Sequence, residues 1–265
     1  KKILFATTAL VATASVAAAD VTVGGFGYIG AIYDDATSST NVEHAARITF
    51  SASVETDSGM SLAVSSRITT ADGDDNGQLG HNKVTVKTNG LTIAAGATHG
   101  AMKSLARSVA FYGFNNGGVS AVDNNNGMGD GDNNVYVSYA LGAATLGVSA
   151  DAGFTGTEVA LAYSAGDMGF GVGMNNDSDW MAKVSYSAGD LSVTAGTNSD
   201  DKTSLVLGYS MTEATSLGLG VQDATAGTSY AVDVSHDLGG ATLSATMGEA
   251  ASGATVSDVS ACGSK

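Results

Sequence analysis

Several stretches of this 265-residue chain carry residue types at spacings that could do chemistry. Asp72-Gly73-Asp74-Asp75-Asn76-Gly77 matches the first half of an EF-hand loop, in which alternate side-chain oxygens wrap a calcium ion. The twelfth position is Lys83 where a bidentate Glu is required, so a complete EF-hand is excluded. Asp72, Asp74 and Asn76 are left as candidates for a weaker calcium site, with water filling the missing ligands; a solvated acidic loop is the plainer account. Gly25-Phe26-Gly27-Tyr28-Ile29-Gly30 spells a dinucleotide fingerprint, but that chemistry needs a following helix inside a βαβ unit. Ile32-Tyr33-Asp34-Asp35 and the Ser/Thr run after it offer none. Ala162-Tyr163-Ser164-Ala165-Gly166 resembles a nucleophile elbow without its strand–elbow–helix setting, and the near-copy Ser185-Tyr186-Ser187-Ala188-Gly189 marks it as part of a repeat. The four histidines are dispersed and form no H-E-x-x-H. No catalytic residue and no required cofactor are expected.

The elements that would carry these residues are hairpins. Tyr139, Tyr163, Tyr186, Tyr209 and His236 fall 23 to 27 residues apart, and most sit beside a Gly-Asp, Gly-Gly or similar pair. Such pairs accept the positive φ of a two-residue hairpin turn. Longer acidic segments such as Asn175-Asn176-Asp177-Ser178-Asp179 separate the units. One end thus has tight turns and the other longer loops, as in outer-membrane barrels. Within strands the period is two: Ile48, Phe50, Ala52 and Val54 alternate with Arg47, Thr49, Ser51 and Ser53. The spacing predicts sixteen strands over 20–33, 43–55, 60–70, 81–88, 91–98, 134–141, 144–151, 157–164, 168–174, 179–187, 191–197, 203–210, 216–222, 228–236, 241–248 and 254–265. Their lengths suit tilted membrane strands. Tyr139, Tyr163, Tyr186 and Tyr209 would form an aromatic girdle at one interface. The fold class is all-β, a closed antiparallel transmembrane barrel, since an open edge has no hydrogen-bond partner in lipid.

Export fits this class. Lys1-Lys2, the alanine-rich apolar run to Val16 and Ala17-Ala18-Ala19 read as a signal peptide over residues 1–19, with the barrel domain over 20–265. Without Lys1 and Lys2, nine of the 11 Lys+Arg face 26 Asp+Glu, which argues against a nucleic-acid partner. That acidity also suggests cation preference in any water-filled passage. The single Cys262 permits no internal disulfide. A secreted calcium-stabilised β-roll or adhesin is the competing reading of the Gly/Asp-rich loops. A roll would repeat every nine residues, whereas the spacing here is that of hairpins.

One connection breaks the rhythm: about 35 residues between His99 and Asn133, with a helix-like run at 101–107. Connections of that length are usually functional or disordered. Together with Asp20-Val21-Thr22-Val23-Gly24-Gly25, the alanine-rich leader and the late segment Ala254-Thr255-Val256-Ser257-Asp258-Val259, this organisation resembles the general porins of alphaproteobacteria. The resemblance implies a sixteen-stranded barrel in the Gram-negative outer membrane. It also implies a homotrimer that passes small hydrophilic solutes and ions, with a third external loop folded into the lumen. It implies a constriction with Arg47, Arg67, Lys83 and Lys87 on the wall facing Asp123, Asp130 and Asp132 on the loop. Two departures stand out. Phe26 and Tyr28 occupy the lumen register of strand one, where the family favours polar residues. The chain closes on Ser260-Ala261-Cys262-Gly263-Ser264-Lys265 rather than on an aromatic.

Overall fold

A strand with one apolar and one polar face needs lipid or core on one side, water or protein on the other, and a partner at each edge. The computed structural model describes residues 20–71, 77, 79–110, 122–128, 134–249, 251 and 255–264. It meets all three needs by closing a ring. The first strands are β1 (Asp20–Asp34), β2 (Ser39–Glu55), β3 (Ser61–Ala71), β4 (Leu79–Thr88) and β5 (Leu91–Gly96). After the long connection come β8 (Asn134–Leu141), β9 (Ala144–Ala150), β10 (Thr157–Ala165), β11 (Met168–Asn175) and β12 (Trp180–Ala188). The remainder are β13 (Leu191–Asn198), β14 (Thr203–Ser210), β15 (Thr215–Ala224), β16 (Gly227–Asp237), β17 (Ala241–Glu249) and β18 (Thr255–Ser264). The connection itself holds helix α1 (Ala101–Leu105) and the two-residue strands β6 (Val109–Ala110) and β7 (Val122–Asp123).

Every barrel strand pairs antiparallel with its neighbours in sequence, and β18 returns to β1 from Phe26 opposite Ser264 to Asp34 opposite Val256. The ring has sixteen strands, as the hairpin spacing requires, and no β-roll. Most boundaries differ from the sequence reading by one residue at most, and four differ by two or more, one being the end of β15 at Ala224 rather than 222. β2 begins at Ser39 rather than 43, because the turn at 35–38 lets Asp34 pair with Ser39. β4 begins at Leu79, across a bulge between Ser65 and Arg67 of β3. β5 stops at Gly96, whose φ of +97 ends the ladder.

The faces are inverted relative to a water-soluble sheet. Among the described residues 40 large apolar side chains are exposed, whereas the one buried apolar cluster is Met102, Ala106 and Met181. Leu161, Val172, Val184, Leu205 and Leu219 all point outward. Soluble monomers rarely expose contiguous apolar patches beyond a few hundred Å², so this girth belongs in hydrocarbon. The four girdle tyrosines lie on the same outward register, 40 to 48% exposed, next to the tight turns. Those turns use glycine where φ is positive, as at Gly166 and Gly189. Among the described residues no helix is long and apolar enough to cross a membrane.

Candidate functional site

The inward register of the first strands gathers the cations. Arg47 pairs with Phe26 of β1 and Thr69 of β3, Arg67 lies opposite Thr49 of β2, and Lys83 lies opposite Ser65 of β3. Each is therefore about one two-residue step from the next on a neighbouring strand, all on the polar side. The Arg47 Nε donates to Thr69 Oγ1 at 3.2 Å, and its guanidinium lies 5.0 Å from the centroid of the Phe26 ring. Arg67 Nη2 is 2.9 Å from His81 Nε2. Lys87 has the same facing but sits one residue before the tight turn at Asn89-Gly90, about 13 Å farther along β4 than Lys83. Three of the four basic candidates thus come together, and Lys87 stands apart at the turn end.

Phe26 and Tyr28 resolve the departure noted in strand one. Val21, Val23, Ile29 and Tyr33 point outward, so the register is continuous and Phe26, Tyr28 and Ile32 point inward. The aromatic ring serves as a platform that holds a guanidinium by cation–π attraction. This pore wall is partly aromatic.

In a ring of sixteen, β13 stands eight strands from β3. There the inward register is built from small residues, and the connection packs on it. Helix α1 lies against the inner face of β9, β10 and β11. The Ala101 amide donates to Ser149 Oγ at 2.8 Å and the Met102 amide to Glu158 Oε2 at 3.1 Å. Farther round, Asn124 Nδ2 donates to the Ala182 carbonyl at 2.8 Å and the Thr197 carbonyl at 3.0 Å, and Asn198 Nδ2 returns a bond to the Asn124 carbonyl at 3.0 Å. The Ser108 amide donates to Asn124 Oδ1 at 2.8 Å, and the Ser108 and Ser204 hydroxyls are 2.5 Å apart. Gly171 and Gly196 make this approach possible: a Cβ on the first would collide with the Leu105 carbonyl, and on the second with the Ser108 hydroxyl. Lys183, between these two glycines on the same register, is an inward cation that the sequence reading passed over.

The acidic candidates are less complete. The backbone of Asp123 pairs with Val109 in the small β6–β7 ladder, which lies near β14, β15 and β16. Asp130 and Asp132 lie outside the described residues, as do Asp72, Asp74 and Asn76. Among the described residues no three His, Cys, Asp or Glu side chains converge as a metal site. Asp233 of β16 faces inward and accepts from Thr246 Oγ1 at 2.8 Å. The chemistry-like motifs dissolve into strands: Gly25 to Gly30 lie inside β1, and Ser164 ends the β10–β11 hairpin.

The arrangement gathers cations, an aromatic platform and small residues along the inward register. It offers a closed polar-lined tube with cations on one wall and a second layer of chain on the other. The comparisons agree. A family model described as Gram-negative porin matches residues 6–264. Two solved structures of mutant Rhodopseudomonas blastica porin superpose with TM-scores of 0.77, at 18% and 17% identity, covering 93% of this chain and 100% of the other. A structure described as an engineered protein of asymmetric conductivity gives 0.74 at 18% identity over the same shares. No curated protein sequence matches significantly. With strands, ring and family profile in accord over nearly its whole length, the chain belongs to the Gram-negative porins, channels of the outer membrane.

Proposed function

We propose that this porin narrows where the connection between β5 and β8, described at 97–110 and 122–128, lies in the lumen opposite the cationic wall, and that the gap between them sorts small hydrophilic solutes during passive diffusion. The observation that carries this reading is one of placement. Arg47, Arg67 and Lys83 share one inward patch on β2–β4, and the bonds that seat the connection are on β9–β14. Asp123, Asp130 and Asp132 would supply the acidic side of a transverse field. Charged groups across a narrow water-filled gap set ion preference and orient dipolar solutes, while weak binding lets them leave.

The same reading takes residues 1–19 as a cleaved leader, the working assembly as a homotrimer and the protein as a passive channel without turnover. The segment 72–77 stays a weak calcium candidate beside its account as a solvated loop. The acidic chain favours cations at the mouth, whereas the arginine wall opposes them inside. The test is planar-bilayer recording of the reconstituted protein, native and with residues 104–126 replaced by a short Gly-Ser link. The constriction reading expects larger unitary conductance from the shortened form. Equal conductance would remove the constriction, and a silent native protein would remove the channel.

A further inference from the structure

The geometry points to Glu158 as a positioning residue, the clasp that holds the neck of the 97–133 connection and so fixes the aperture. This rests on the constriction reading above. Glu158 stands on the inward register of β10 and is 5% exposed. Its Oε2 accepts from the Met102 amide at 3.1 Å and from Ser149 Oγ at 3.0 Å, and its Oε1 accepts from the Met128 amide. Met102 belongs to the outgoing limb of the connection and Met128 to the returning limb. One carboxylate therefore grips both.

The limbs are also tied to each other, since the Gly100 amide donates to the Met128 carbonyl at 3.2 Å. Ser149 completes the set: it gives its one proton to Glu158 and accepts from the Ala101 amide at 2.8 Å. Each limb carries glycine where it meets the acid. A Cβ on Gly100 would collide with the carboxylate, and a Cβ on Gly127 would sit 2.9 Å from Met102 Cβ and 3.2 Å from Glu158 Oε1. A buried carboxylate is tolerated only when hydrogen-bonded, and here three donors converge on it.

The clasp is separate from the wall. The Glu158 backbone pairs in the ladder opposite Ser149 and Asn175, so altering the side chain leaves the sheet bonds in place. The loss should free the connection without opening the barrel. Glu158→Gln keeps the size but puts an NH2 donor where an amide needs an acceptor. In the full reconstituted chain it is expected to change unitary conductance and add flicker, and Glu158→Ala more so. The Met102 and Met128 amides should exchange about tenfold or more faster, while those of Leu161 and Val172 stay protected. Ser149→Ala, which leaves the acid, should shift the same readouts less.

Native current noise with native amide exchange in Glu158→Gln would overturn the clasp. So would fast exchange at Met102 and Met128 in the unaltered protein, a measurement that needs no variant to fold. If replacing residues 104–126 changes conductance and Glu158→Gln does not, the clasp fails alone. If neither changes it while the exchange effect persists, the constriction reading fails instead.

Discussion

The wall formed by β2, β3 and β4 and the wall formed by β9 to β14 share one exterior and differ inside. Both present Val, Leu and Phe outward at similar exposure, as Val64 and Leu161 do at 43% each. Inside, the first wall carries long cations that reach into the lumen, one of them held on the Phe26 ring. The second carries mostly Gly, Ala and Ser, with Lys183 as its one described cation on β12, and another stretch of chain is seated on it by Asn124, Asn198, Ser149 and Glu158. A period of two fixes which residues face inward. Their size then decides whether the inner surface meets water or meets protein.

The largest effect expected is on the shared face. Leu161→Arg and Val64→Arg should each cost about 2–4 kcal/mol near the bilayer midplane, read as unfolding in lipid vesicles. Unequal costs would mean that one wall faces a neighbouring subunit rather than lipid, which sharpens the comparison. Next comes the seat itself. Gly171→Leu should destabilise by about 1–3 kcal/mol through overpacking and raise conductance by dislodging the connection. Ser65→Leu on the cationic wall, where no described part of the connection is seated, should do neither; equal effects from both would erase the distinction between walls.

Charge on the first wall is a smaller lever on stability and a direct one on permeation. Arg67→Gln with Lys83→Gln should change stability by only about 0.5 kcal/mol. Removing two positive charges should move the zero-current potential in a salt gradient toward cations, and Lys87→Gln should move it less because it lies nearer the tight turn. An unchanged potential would place the basic patch outside the ion path. The smallest effect belongs to the loop beyond β9. The Thr155 hydroxyl, then the Thr155 and Gly156 amides, hold the Asp151 carboxyl below its ordinary value of 3.8. A lowered value stabilises the turn above the ordinary value and is lost as pH falls through the folded one. The Thr155 and Gly156 amides should thus stay protected at neutral pH and loosen only below 3.8. Loosening at pH 6 would contradict this sign.

Sixteen strands were legible because each hairpin repeats a turn signal and each strand alternates. Arg47, Arg67, Lys83 and Lys87 could be placed on the inward register for the same reason. The seat of the connection was not legible. Glu158 reads as one more polar residue on an alternating strand, and nothing local reveals that its partners are the amides of Met102 and Met128. The available signal was indirect: a lone acid on an inward register otherwise built from Ala and Ser, close to glycines at 171, 173 and 196. Glycine at inward positions says that something must come close, without saying what. The β6–β7 ladder was missed because two-residue strands carry no period, and Ser39 to Val42 because their pairing is imposed by the neighbouring β1.

The seam where Asp34 meets Val256 links parts of the chain more than two hundred positions apart. Such pairing carries the heaviest chain-entropy cost and tends to be slow, so the first strand must wait, its edge unsatisfied, until the final one has been made. A sequence with this layout cannot complete itself piecemeal as it emerges from the ribosome. It depends on being kept soluble and unpaired until its two distant edges can be brought together.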